Sequence, residues 1–150
     1  MTWGLRGHFQ DERKRLLLPT VPSILPPMAN QGAAHTALLR QALAAIGALP
    51  GVIAALNPCG KATYVSDQGK TFYTPYGWPC PGGPDILVVV APHGRALGLE
   101  GKTGQASLSK AQDPVHRALE AVGMPVVVFH SPEEAVRAVE AVRAGRWPLH

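Results

Sequence analysis

At 150 residues the chain has room for one domain with a real core and little beyond it. Apolar residues make up 46% and charged residues 16%, which excludes a disordered chain, and the apolar runs are too short to cross a membrane. A formal charge of +4 and an isoelectric point of 9.4 permit an anionic partner such as nucleic acid without requiring one.

The opening MTWGLRGHFQDERKRLLLP carries mixed charge where a secretory leader would be apolar, so the expected location is the cytoplasm. Arg13, Lys14 and Arg15 form a basic run, followed by three leucines, Leu16 to Leu18. Pro19, Pro22, Pro26 and Pro27 then forbid a continuous helix. Residues 1–29 therefore read as a proline-rich arm. It is either a loose leader or a segment that crosses a partner subunit or touches phosphates.

The domain proper is expected over residues 30–150. Alanine and leucine dominate residues 31–48 and predict a helix with Asn30 as N-cap. Leu38, Leu39, Ala42, Leu43 and Ile46 fall at helical spacing and face the core. His35, in the first turns, is either a packed or solvated histidine or a group near the site. Val52 to Leu56 reads as a short strand. Residues 61–81 hold Tyr64, Phe72, Tyr73, Tyr76 and Trp78 among glycine and proline, the mark of a hairpin or long loop. With Lys61 and Lys70 they form a DNA-facing surface, or else a hydrophobic lid or subunit contact. Cys59 and Cys80 each adjoin proline and make no recognised metal pattern; they are incidental thiols or a disulfide or metal pair.

Asp85 to Ala91 is the clearest strand, and its continuous apolar run predicts cover on both faces. Pro92 to Arg95 makes a turn, and Ala96 to Lys102 runs back as a second strand. Ser109-Lys110-Ala111-Gln112 is a capping box opening a helix with Val115, Leu119 and Val122 inward, stopped at Gly123. Met124 to His130 is a further strand. Ser131-Pro132-Glu133-Glu134 opens a last helix with Val136, Val139 and Val142 inward, ending near Gly145. The order predicts an α/β fold, a mixed central β-sheet flanked by helices.

Side chains alternate along a strand, so Glu100 and Lys102 share a face. If the two strands pair as a hairpin, the Asp85 carboxylate converges on that of Glu100. Two carboxylates with a backbone carbonyl suit Mg2+ or Mn2+, which would polarise a phosphoryl oxygen and acidify a water. Lys102 would hold that water or meet charge developing on the phosphate. Acids and lysines on hairpins are often merely solvated. Against that, Asp85 follows Gly-Gly-Pro directly before a buried strand, and Glu100 sits in the apolar run ALGLEG, where a charge is costly unless paired.

The runs PGGPDILVVV, LGLEGKTGQASLSKAQ and ALEAVGMPVVVFHSPEEAVRAV together resemble the VRR-NUC branch of the PD-(D/E)XK nucleases. The resemblance spans residues 31–143 and implies a restriction-endonuclease-like core. It implies Asp85 and Glu100 as metal ligands, Lys102 as the catalytic lysine, Gln112 as the glutamine of the following helix, and Mg2+ or Mn2+ as cofactor. The stand-alone form resembles small phage-type Holliday-junction resolvases. That implies a four-way DNA junction as substrate, a homodimer placing one site on each of two strands, and the host cytoplasm as location. A nicking or flap nuclease and a non-catalytic DNA-binding module are the alternatives. Arg13, Lys14, Arg15, Lys61, Lys70 and Lys110 are the candidate phosphate contacts. The family carries a glutamate in its first helix, whereas this chain has Ala33, Ala34 and His35 there and no carboxylate between Glu12 and Asp67. Either His35 substitutes, or the ligand is absent, or an acid was replaced.

Overall fold

In the computed structural model, which describes residues 32–78 and 81–146, the alanine- and leucine-rich segment forms α1 (Ala33–Gly47). Such residues lose little rotamer freedom in a helix. Leu38, Leu39, Ala42 and Ile46 make its buried face, with Leu43 half-buried beside them. The helix starts later than the sequence suggests: Gly32 stands at the N-cap without a side-chain hydrogen bond. Asn30 lies outside the described residues, as do Cys80 and the whole 1–29 segment with Arg13, Lys14 and Arg15.

The chain continues through β1 (Val52–Leu56), β2 (Gly60–Val65), β3 (Thr71–Tyr76), β4 (Ile86–Val90), β5 (Arg95–Gly101), α2 (Gln112–Ala121), β6 (Val126–Phe129) and α3 (Pro132–Arg143). Among the described residues β2 and β3 pair only with each other, so the aromatic segment is a separate two-stranded hairpin. The other four form one sheet in the order β1-β4-β5-β6. Strand β4 is antiparallel to both neighbours, and β5 runs parallel to β6 through the α2 crossover. This is the expected α/β architecture with a mixed central sheet. Among the described residues no helix is long and apolar enough to cross a membrane.

Helices α1 and α3 pack together over one face of the sheet. Ile86, Val88, Val90, Leu97, Leu99 and Phe129 meet them in the main core. The other face is only half covered, because α2 lies beside β6. The expectation that β4 is buried on both faces is therefore wrong: its residues alternate, and Val89 and its β1 partner Ile53 are 43% and 61% exposed. Five apolar residues in a row say nothing about how many helices remain to cover them. The inward placement of Val122 also fails. Helix α2 ends at Ala121, and the chain turns away through hydrogen bonds from Gly123 N to Glu120 O and from Met124 N to Leu119 O. That Schellman turn leaves Val122 80% exposed. At α3, Ser131 Oγ accepts from Glu134 N as a capping box requires, but Glu134 Oε2 accepts from His130 N rather than from Ser131 N.

Candidate active site

The site forms where β4 begins and β5 ends. Ile86 is paired with Leu99, so Asp85, one residue before β4, falls opposite Glu100. Lys102, one residue past β5, shares the Glu100 side of the strand. Two glycines let helices close on this spot from opposite faces. A Cβ on Gly101 would lie 2.7 Å from Leu39 Cδ2 and 3.2 Å from Phe129 Cζ. Its absence seats α1 against β5, and α1 carries His35. A Cβ on Gly82, whose φ is +96°, would lie 2.3 Å from the Ala111 carbonyl oxygen. The Gly82–Pro84 loop therefore packs against the chain entering α2, which carries Gln112.

Glu100 is 1% exposed, and its Oε1 is the hub. Lys102 Nζ stands 2.9 Å from it, and Gln112 Nε2 donates to it at 2.5 Å. Gln112 Oε1 accepts from Lys102 Nζ at 2.9 Å and from Ser109 N at 2.9 Å, while Ser109 Oγ accepts from Gln112 N at 3.3 Å. One amide side chain thus completes the capping box and clamps the carboxylate–ammonium pair. Asp85 Oδ2 accepts from Gly101 N at 2.9 Å. His35 Nε2 lies 3.3 Å from the same Oδ2 and 3.0 Å from the Gly101 carbonyl oxygen. His35, Asp85, Glu100, Lys102 and Gln112 line one cleft of about 320 Å³.

Burial pushes the Glu100 carboxyl up to about 7, and the charge of Asp85 adds to the rise against the opposing pull of Lys102 and Gln112. Among the described residues Glu100 Oε2 has no hydrogen-bond partner. His116 Nε2, also buried and also without one, lies 3.9 Å from it. Burial lowers the His116 pKa and favours the neutral ring. The sequence reading missed His116. Its signal was the spacing: it follows Gln112 by four residues, so both lie on one face of α2.

Among the described residues no three His, Cys, Asp or Glu side chains already stand as a metal cage. The donor set that faces the cleft is Asp85, Glu100 and the Gly101 carbonyl, hard oxygens of the kind Mg2+ and Mn2+ take. A buried carboxylate oxygen without a donor, beside a second carboxylate, is a charge arrangement that a cation relieves. The residues present therefore fit such an ion. Of the candidate phosphate contacts, Lys110 is exposed in the turn before Gln112. Lys61 and Lys70 are exposed on the hairpin, outside the cleft, with Lys70 Nζ 5.4 Å from the Phe72 ring centroid. Cys59 is exposed.

No protein-family model matches the chain, and no curated protein does. Among solved structures, one described as a VRR_NUC domain is similar with a TM-score of 0.48 and 21% sequence identity, over 73% of this chain and 97% of that one. A likeness that distant carries no argument about chemistry, which rests on the side chains themselves.

Proposed function

We propose that the chain is a divalent-metal-dependent endonuclease that hydrolyses phosphodiester bonds in branched DNA, with the four-way Holliday junction as its substrate. One observation carries the reading: Asp85, Glu100, Lys102 and Gln112, drawn from two strand ends and a helix start, converge in a single cleft. A cation held by Asp85, Glu100 and the Gly101 carbonyl would supply Lewis acidity to the scissile phosphate and a water acidic enough to attack it. Lys102 spends two of its three N–H donors on Glu100 and Gln112, and the third is directed to an attacking water or a phosphate oxygen. Gln112 fixes both Lys102 and Glu100, so the pair enters the reaction already oriented.

Junction specificity and the homodimer follow from the resemblance and from the need to cut two strands of one junction. The reading keeps the enzyme in the cytoplasm, host-derived where the source is a phage. The test is a substrate panel: a mobile four-way junction, a flap, a nicked duplex and a linear duplex, each with Mg2+ and with Mn2+. Preferential paired incision of the junction is expected, together with a dimeric mass in solution. Equal cutting of all substrates would remove the resolvase assignment and leave the nuclease. Binding without cutting in either metal would make the chain a DNA-binding module of the same fold.

A further inference from the structure

We infer that His35 is a nitrogen ligand of the cation in this cleft, which tunes the site to a manganese-type ion over magnesium. The inference rests on the metal-dependent reading above and concerns one corner of the donor shell.

His35 Nε2 lies 3.3 Å from Asp85 Oδ2 and 3.0 Å from the Gly101 carbonyl oxygen. In a six-coordinate shell with bonds of about 2.1 Å, adjacent donors stand about 3.0 Å apart, the edge of the octahedron. The ring nitrogen is thus already at ligand spacing from two of the oxygens that face the cleft. What puts it there is packing. His35 and Leu39 are one helical turn apart on the same face of α1, and Leu39 is seated on Gly101, where a side chain of any size would push it off. Without an ion, Nε2–H donates to these oxygens. With one, the ring proton sits on Nδ1 and Nε2 presents its lone pair.

The chemistry of the donor sets the preference. Mg2+ takes oxygen ligands and parts reluctantly with its waters. Imidazole nitrogen is a borderline donor that first-row transition ions take readily. Nitrogen at this corner therefore raises affinity for Mn2+ more than for Mg2+.

Pulsed electron paramagnetic resonance on the full chain loaded with Mn2+ reads this without any turnover. A nitrogen modulation from directly bound imidazole is expected. It should vanish in His35→Ala, with Mn2+ affinity by calorimetry falling roughly tenfold or more and Mg2+ affinity changing little. His35→Glu should recover ion binding without the nitrogen signal and bring the two affinities together, which also shows that variants at this position fold. Mn2+ that binds natively, is lost in Asp85→Asn and shows no nitrogen modulation would overturn the inference and leave the metal-dependent reading standing. A modulation that persists in His35→Ala would assign the nitrogen to another histidine such as His116 and overturn it equally. A native chain that binds no Mn2+ at all would remove both.

Discussion

The end of the sheet at Glu100 and the β2–β3 hairpin are both short antiparallel pairings, yet they treat their side chains in opposite ways. At the sheet end a carboxylate 1% exposed is held by an ammonium and an amide, and those two are bonded to each other. On the hairpin every residue of β3 is exposed, with Tyr73 at 69% and Tyr64 at 57%. Tyr64 faces Phe72 across the pair, and the Tyr76 ring covers Gly60. An isolated two-stranded hairpin is marginal in water, so its base has to be tied down. Asn57 does this by donating to the carbonyls of Trp78 and Pro84 and accepting from Trp78 N. Charges in the first region act in low dielectric, where each is strong and none can be removed alone. Groups in the second are screened by water and replaceable, which suits a surface that makes contacts and does no chemistry.

Removing Lys102 should break the first region hardest. In Lys102→Met, Glu100 loses the cation that holds its pKa down and must either stay charged without a partner or take up a proton, a loss of up to about 3 kcal/mol in the metal-free protein by analogy with other broken buried pairs. Cleavage should fall by about two orders of magnitude or more, because the donor to the reacting group is gone. Adding Glu100→Gln should return most of the stability and none of the cleavage. Urea unfolding and single-turnover cleavage measure the two effects separately. A Lys102→Met protein as stable as the parent would show that the ammonium is not what holds the buried carboxylate.

A gentler perturbation is pH. Glu100 titrates near 7 in the fold, against 4.5 for an unperturbed glutamate. The folded protein therefore keeps a proton that the unfolded chain releases, and this contribution is fully present below the unfolded value. It is lost as pH rises through the folded one. The metal-free melting temperature should fall from about pH 5 to about pH 8 relative to Glu100→Gln, whose own profile lacks this component. Parallel profiles would show that the carboxyl is not desolvated.

The contrast also explains what could be read from the sequence. Asp85, Glu100 and Lys102 lie within one strand–turn–strand unit, where alternation and register alone bring them together. Gln112 was legible because Ser109 marks a helix start, and its second role followed from the same geometry. The spacing from Gln112 put His116 on the same face of α2, but its burial beside Glu100 was not legible, nor was the position of His35, since both depend on how α1 and α2 dock against the sheet. The clue to that docking is a missing side chain, at Gly101 and at Gly82, and a glycine between Glu100 and Lys102 reads equally well as a simple strand end. The open face of β4 escaped for a related reason. Two of the three helices among the described residues went to one side, and no local pattern in β4 records that choice.

The smallest effect belongs to the hairpin, and it decides which use of that surface is right. Lys61 and Lys70 are both exposed there, and Asp67 is the one acid between Gly60 and Tyr76. On a nucleic-acid surface each lysine at a phosphate contributes about 0.9 to the slope of log affinity against log salt for duplex DNA. The double variant Lys61→Gln/Lys70→Gln should then lower that slope for junction binding by about 2, while stability changes by less than about 0.5 kcal/mol, as usual for solvated side chains. The cleavage rate at saturating substrate should not change, because neither lysine lines the cleft. Retained slope with a reduced dimer fraction would instead make the aromatic hairpin a contact between subunits. The cleft would then be left to bind DNA through Lys110.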